Sequence, residues 1–184
     1  MQYHVIETEW GFFGFVESKR KLLATFLPAG QQAVRRAIRA KFPSAIEDES
    51  VLPDFQDEVR KYFRGQAVNF SVSVDLSALP AFRRKVLEAC RRIPLGQVVT
   101  YGELAKRVGD AQAARAVGSA MANNPLPIVI PCHRVLRSDY GLGGFSSPGG
   151  VSEKQRLLSM EGSWPIRSRR TATKLRVTKL RKTA

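Results

Sequence analysis

Cys132, His133 and Arg134 are consecutive, and they form the segment of this 184-residue chain with the clearest capacity for chemistry. A thiol reacts as its thiolate, and a neighbouring imidazole or positive charge favours that form. Glu161 is a candidate third member, because in a Cys–His system a further polar group orients the base. The alternative is a buried cysteine beside a histidine with satisfied hydrogen bonds. The spacing favours nucleophilic chemistry but leaves this alternative open.

The apolar residues 128–130 predict a short buried strand that leads to Cys132. Adjacent residues of a strand point to opposite faces of a sheet. Contact between Cys132 and His133 therefore requires a turn, which Pro131 makes plausible by ending the strand.

Two predicted helices flank this segment in the sequence. The earlier helix, residues 82–93, carries Cys90 on its apolar stripe, so this second thiol is expected to be a core residue. The later helix is predicted to begin at Ser152, with Ser152 and Gln155 as a capping box, and to end at Glu161.

Two short helices joined by a glycine-containing turn predict a helix-turn-helix before the cysteine. Thr100 and Glu103 match a capping box for the first helix, and Asp110 is the predicted N-cap of the second, residues 111–122. Small side chains dominate the second helix, and Arg115 is its one charged residue. Such a helix either packs closely against a neighbour or lets its backbone approach a DNA groove, and the segment leaves both open.

The N-terminal part predicts an α+β unit without a catalytic group of its own. Strands are expected within residues 1–27, helices over 31–41 and 52–63, and a half-buried strand over the alternating residues 68–74. The pattern becomes mostly helical after about residue 78. The chain is thus divided into a first domain at 1–77, a second at 78–162 and a basic tail at 163–184.

The net charge of +14 is distributed unevenly along the chain. Residues 1–79 contain 10 Lys/Arg and 10 Asp/Glu, so the remaining 20 basic and 6 acidic residues carry the whole excess. This asymmetry favours a polyanionic partner such as nucleic acid, with a solvated basic surface as the alternative. Two cysteines make neither a disulfide framework nor a metal-ligand spacing, and no signal or membrane-spanning segment is evident. A cytoplasmic protein is expected, nucleoid-associated in a prokaryote.

Four sequence blocks stand together in the C-terminal part: Tyr101-Gly-Glu-Leu-Ala105, Ala114-Arg-Ala-Val-Gly118, Asn124-Pro125 and Pro131-Cys-His-Arg-Val135. In this order they resemble the methylated-DNA–protein-cysteine methyltransferases, or alkylguanine-DNA alkyltransferases, over about residues 78–162. The resemblance implies an α+β fold. Its first domain would be a ribonuclease-H-like antiparallel sheet with helices, and its second a mostly helical, winged-helix-like domain with the helix-turn-helix.

The resemblance also implies a set of catalytic residues. Cys132 would accept an alkyl group from the O-6 atom of guanine, or from O-4 of thymine, in a single irreversible turnover. His133 would take the thiol proton through a water, and Glu161 would orient His133. Tyr101 would donate a hydrogen bond to the flipped guanine.

A second implied set binds double-stranded DNA and lines the pocket for the flipped base. Arg115 would enter the duplex from the minor groove, on a helix that the small residues Ala114, Gly118 and Ser119 allow to lie close. The pocket and its support would be formed by Asn124, Val135, Phe145 and Ser146. Neither a metal nor a cofactor is implied, and the protein is expected to act as a monomer.

The sequence departs from the family pattern at three places. Phe145 stands where a tyrosine is common and lacks its hydroxyl, and the loop 145–150 is about two residues longer than usual. Ala122 occupies a position that is basic in some members. Two other functions remain as alternatives: a lesion-binding module without transfer activity, and a cysteine hydrolase that would need an oxyanion hole.

Overall fold

The N-terminal strands form a sheet in the computed structural model, which describes residues 1–165. Three strands pair antiparallel, and they are β1 (Gln2–Thr8), β2 (Gly11–Ser18) and β3 (Lys21–Ala29). A two-residue strand, β4 (Ile46–Glu47), pairs parallel with β1 and gives the order β3-β2-β1-β4. The predicted sheet is therefore present, but it is mixed and not wholly antiparallel, because the chain returns to β1 through a helix.

Two helices lie at the positions that their apolar spacing predicts. Helix α1 (Gln31–Lys41) buries Val34 and Ile38 against the sheet. Its approach is close, since a Cβ on Gly14 would lie 2.5 Å from Cγ1 of Val34. Helix α2 (Pro53–Phe63) packs its aromatic face against Phe13 and Phe15, in the main core of the protein.

The strand predicted over residues 68–74 is wrong. Only Val74 makes a β-bridge there, to Leu22, although the side chains do alternate between half-buried and exposed. The Arg91 guanidinium donates to the carbonyls of Phe70 and Val72, at 3.4 and 2.5 Å. Side-chain donors thus satisfy backbone groups that a neighbouring strand would otherwise pair.

Helices dominate the C-terminal part. They are α3 (Ala81–Arg91), α4 (Tyr101–Arg107), α5 (Ala114–Ala122) and α6 (Gly150–Met160). Two short strands, β5 (Val99–Thr100) and β6 (Val135–Leu136), pair parallel and join the start of α4 to the segment after Cys132. The mixed α+β class is therefore confirmed, and residues 1–165 contain six α-helices.

The capping predictions differ in outcome. The Thr100 hydroxyl accepts from the backbone of Glu103, whose carboxylate accepts from the backbone N–H of Thr100, so this capping box is confirmed. Helix α5 begins later than predicted, because Asp110 closes a turn at Gln112 and does not cap the helix.

The second predicted capping box, at Ser152, is wrong. Helix α6 already begins at Gly150, and the Ser152 hydroxyl donates to the carbonyl of Gly149. Ser152 therefore lies within the first turn of the helix and does not precede it.

One continuous apolar core joins the two parts of the chain. Phe13, Phe55 and Tyr62 from the first part belong to the same buried cluster as Cys90 and Leu157 from the second. Among residues 1–165, no helix is long and apolar enough to cross a membrane. The basic tail predicted at 163–184 lies outside the described residues from position 166 onward.

The two predicted capping boxes provide a matched test of helix stability. Thr100→Ala removes a formed cap and should lower the free energy of unfolding by about 1 kcal/mol. Ser152→Ala removes a hydroxyl that caps no helix and should change it by less than about 0.5 kcal/mol. Urea denaturation measures both, and equal losses would contradict the assigned helix starts.

Candidate active site

Cys132 is the first residue of a short 3₁₀ helix (Cys132–Arg134) and does not follow a strand. The strand predicted over 128–130 is wrong, because Ile128 has a left-handed backbone and Ile130 donates its N–H to Leu126 at 2.8 Å. The turn that the sequence required at Pro131 is thus present. Cys132 itself is buried, with 8% of the residue exposed.

Asn124 fixes the segment before the cysteine. Its side-chain amide donates to the carbonyl of Ile130 at 2.8 Å and accepts from the N–H of Leu126 at 3.0 Å. Burial raises the pKa of Cys132, and a hydrogen bond from Asn124 together with the charge of Lys154 acts in the opposite direction. Asn124 therefore both holds the turn and favours the thiolate.

His133 and Glu161 are brought into contact by the fold, although 28 positions separate them. His133 Nε2 lies 2.9 Å from Oε1 of Glu161, and both side chains are fully buried. Burial lowers the pKa of His133, and the adjacent carboxylate acts to raise it. With Nε2–H donating to the carboxylate, the other ring nitrogen, Nδ1, is left as an acceptor. Nδ1 is buried without a hydrogen-bond partner among residues 1–165.

Arg134 forms an ion pair with Glu161. Its guanidinium donates to both carboxylate oxygens, Nε to Oε2 at 2.9 Å and Nη2 to Oε1 at 2.8 Å. Its Nη1 donates to the carbonyl of Ile93 at 2.6 Å. Burial acts to raise the pKa of Glu161, but hydrogen bonds from His133 and Arg134 outweigh it and lower this pKa to about 2. Glu161 is therefore an anion throughout the physiological range.

Lys154 is a site residue that the sequence reading missed. It is fully buried on α6, and its Nζ donates to the carbonyl of Val135 at 2.7 Å and lies 6.0 Å from the ring centre of Tyr101. Burial lowers its pKa to about 8, while the nearby thiols Cys132 and Cys90 act to raise it. Its position three and four residues before Leu157 and Leu158, on the apolar face of the helix, was the available signal.

Tyr101 lies at the start of α4, beside the cysteine. Its side chain is half-buried, and burial followed by the charge of Cys132 raises its pKa. A Cβ on Gly118 would lie 4.0 Å from Cε1 of the Tyr101 ring, and one on Gly143 would lie 3.8 Å from Cε2. The small residues of α5 therefore pack next to Tyr101.

The residues predicted to bind DNA lie on α5. Arg115 and Ser119 are exposed, while Ala114 and Gly118 are half-buried. Val117 and Ala120 supply the buried face of this helix. Arg115 thus projects from the protein on a helix whose surface has little side-chain bulk.

The predicted pocket residues lie in different environments. Val135 is buried in β6, and Phe145 is half-buried against the core. Ser146 is exposed, whereas the hydroxyl of Ser147 is buried and has no hydrogen-bond partner within residues 1–165. Cys90 is fully buried in the core, as predicted. Across the described part of the chain, no three His, Cys, Asp or Glu side chains are grouped to hold a metal ion.

Residues 81–163 match the family described as "6-O-methylguanine DNA methyltransferase, DNA binding domain". The methylated-DNA–protein-cysteine methyltransferase of Methanosarcina acetivorans is 38% identical over 120 residues, which cover 65% of this chain and 75% of that protein. The chain belongs to the methylated-DNA–protein-cysteine methyltransferase family. Another member, from Methanothermobacter thermautotrophicus, is 44% identical over 107 residues, which span 58% of each chain.

The similarity to solved methyltransferase structures extends beyond the matched domain. The crystal structure of Mycobacterium tuberculosis OGT in complex with DNA superposes with a TM-score of 0.75 at 30% identity, covering 89% of this chain and 94% of that one. The overall α+β fold is therefore that of the family, including the N-terminal sheet.

The low pKa of Glu161 predicts a specific loss of stability in acid. The folded state binds the Glu161 proton only near pH 2, whereas an ordinary Glu titrates near 4.5, so the stabilisation is complete above about pH 4.5 and lost as the pH falls through about 2. We expect this carboxylate to contribute about 3 kcal/mol of that change. Glu161→Gln should unfold more easily at neutral pH, because Arg134 loses its partner, and should show a flatter acid dependence.

The control is Glu7→Gln, at an exposed position of β1. Urea titrations from about pH 2 to 7 measure the free energy of unfolding of each variant. If the free energy of unfolding of Glu161→Gln fell with acid in parallel to that of the wild type, the low pKa assigned to Glu161 would be wrong.

Proposed function

We propose that this protein repairs DNA by transferring a methyl or other alkyl group from O-6 of guanine to Sγ of its own Cys132. The observation that carries the proposal is that Cys132, only 8% exposed, directly precedes His133, whose buried side chain is hydrogen-bonded to the buried carboxylate of Glu161. Membership in a family whose curated members are named methylated-DNA–protein-cysteine methyltransferases supports it.

The transfer exchanges one bond and one proton between the protein and its substrate. A new bond forms between Sγ and the alkyl carbon, and the bond from that carbon to O-6 breaks with its electron pair remaining on guanine. The thiol proton passes to Nδ1 of His133, directly or through a water. An equivalent proton passes through solvent to the departing guanine anion, so that guanine leaves neutral and His133 is neutral again. The thioether has no route back, so each molecule acts once and needs no cofactor.

Two cationic or donor groups are placed to favour the reaction. Lys154 supports the thiolate electrostatically and lies next to Tyr101. Tyr101 would donate a hydrogen bond to the guanine ring as negative charge develops on it. Lys154 is fully buried and Tyr101 half-buried, and the low polarity around buried groups strengthens such interactions.

Arg115 is the proposed wedge into the duplex. The O-6 atom is inaccessible inside the helix, so the nucleotide must be flipped out at a cost of a few kcal/mol. An exposed arginine on a helix of small residues suits entry into the minor groove and occupation of the vacated space. Ala114, Gly118 and Ser119 would allow α5 to lie close to the DNA backbone.

The flipped base would be held between the turn fixed by Asn124 and the loop after β6. Val135 would contribute backbone groups, and Phe145 an apolar wall. We propose that the hydroxyl lining the pocket comes from Ser147 and not from the predicted Ser146, because the Oγ of Ser147 is buried. We further propose a ribonuclease-H-like domain at 1–77 and a winged-helix-like domain with the helix-turn-helix at 78–162, acting as a monomer in the cytoplasm.

Intact-mass analysis tests the central claim. After incubation with a duplex that contains O-6-benzylguanine, the wild type should gain one benzyl group, located on the Cys132 peptide. Cys132→Ala should remain unmodified, and Cys90→Ala should react like the wild type. Tight lesion binding without any adduct would instead indicate a binding module, and repeated turnover would indicate a hydrolase.

Arg115→Ala separates DNA engagement from transfer chemistry. The substitution should slow transfer from double-stranded DNA roughly tenfold or more, because the flipped state loses its support. The reaction with free O-6-benzylguanine should be unchanged, since no flipping is needed. Arg36→Ala, which removes an exposed arginine of α1, is the control. Equal slowing with both substrates would contradict the wedge assignment.

A further inference from the structure

Tyr62 reaches the candidate active site from the first part of the chain. It lies on α2, 99 positions before Glu161, and its hydroxyl donates to Oε1 of that carboxylate at 2.7 Å. Only 1% of Tyr62 is exposed. The hydrogen bond connects the N-terminal part, which has no catalytic group of its own, to the partner of His133.

The Tyr62 ring and its hydroxyl have separable roles. The ring packs at 5.2 Å from the ring centre of Phe63 and at 5.6 Å from that of Phe70, which accounts for its place in the core. The hydroxyl adds nothing to this packing, and a buried hydroxyl requires a partner. Burial and the charge of Glu161 raise the pKa of Tyr62, so this hydroxyl stays protonated and remains a donor.

Three donors converge on one oxygen of Glu161. Oε1 receives hydrogen bonds from Tyr62, from His133 Nε2 and from Arg134 Nη2, whereas Oε2 receives one from Arg134 Nε. Donors that share an acceptor divide its negative charge between them. The Tyr62 hydroxyl therefore reduces the share that acts on His133.

We propose that Tyr62 is a positioning residue for alkyl transfer, which holds Glu161 in place and limits how strongly this carboxylate attracts a proton to His133. The inference rests on the proposed function, because it assigns His133 the task of receiving the thiol proton. A neutral His133 can accept that proton at Nδ1, whereas a protonated ring cannot. Tyr62, from the N-terminal part of the chain, would thus lower the proton affinity of His133 in the C-terminal part.

The expected pH dependence includes every charged or titratable group near His133 and Glu161. Tyr62 approaches from α2, Lys154 from α6 and the thiol of Cys90 from α3, whereas His133, Arg134 and the thiol of Cys132 belong to the 3₁₀ helix. Tyr62→Phe removes one neutral donor and leaves all the other groups. Glu161 then attracts the His133 proton more strongly, so the loss of activity in acid should begin at a higher pH.

The chain supplies a matched control in Tyr3→Phe. Tyr3 is also a buried tyrosine, 2% exposed, and its hydroxyl donates to the Glu47 carboxylate at 3.0 Å. It belongs to the cluster on the α1 side of the sheet, away from Glu161. Both substitutions therefore remove one tyrosine–carboxylate hydrogen bond, and only one of these carboxylates contacts His133.

Single-turnover rates with O-6-benzylguanine DNA, measured from about pH 5 to 9, give the first readout. In Tyr62→Phe the ratio of the rate at high pH to that at low pH should rise roughly threefold or more. Tyr3→Phe should keep the wild-type ratio even where it lowers thermal stability. A Tyr62→Phe profile that coincides with that of Tyr3→Phe would overturn the inference.

Histidine NMR gives a second readout that needs no transfer activity. The chain contains two histidines, His4 and His133, and His4→Asn assigns their signals. The titration midpoint of His133 should move to higher pH in Tyr62→Phe and stay in place in Tyr3→Phe. An unmoved midpoint overturns the inference, whereas a wild type that titrates as expected but forms no adduct overturns the proposed function alone.

Discussion

The buried carboxylate of Glu161 is the interaction on which the rest of this structure depends. It ends α6, and it receives Arg134 and His133 from the 3₁₀ helix and Tyr62 from α2. A carboxylate without partners would be very unfavourable in such a place, and here hydrogen bonds lower its pKa to about 2. One carboxylate therefore connects α6, the 3₁₀ helix and α2, and it orients the imidazole of His133, the residue after Cys132.

A second set of contacts ties the N-terminal sheet to the segment before the cysteine. Thr25 on β3 donates its backbone N–H to the carbonyl of Pro125 at 2.9 Å and its hydroxyl to that of Pro127 at 2.7 Å. Asn124 continues this support to Ile130. Because the apolar core is also continuous, the sheet supports the turn that carries Cys132.

The site combines burial, which opposes the thiolate, with groups that restore it. Burial raises the pKa of Cys132, and Asn124 and Lys154 act against that rise. Lys154 is itself buried, with a pKa of about 8, so its charge is maintained at a cost in stability. Such an arrangement suits a nucleophile that must stay protected until a substrate enters.

The sequence by itself determined the local elements of this protein and the family to which it belongs. Apolar spacing located α1 and α2 and indicated a core role for Cys90. The capping box located the start of α4, and the four sequence blocks around Tyr101, Arg115, Asn124 and Cys132 indicated the family. The sequence failed at residues 68–74, where alternation suggested a strand, and at 128–130, where an apolar run did. There the side chains of Arg91 and Asn124 bond to backbone carbonyls instead. Only the tertiary structure decided that Arg134 faces Glu161, that Lys154 is buried, and that Tyr62 completes the site. These contacts join residues far apart in the chain, and no local pattern encodes which donor will share a carboxylate.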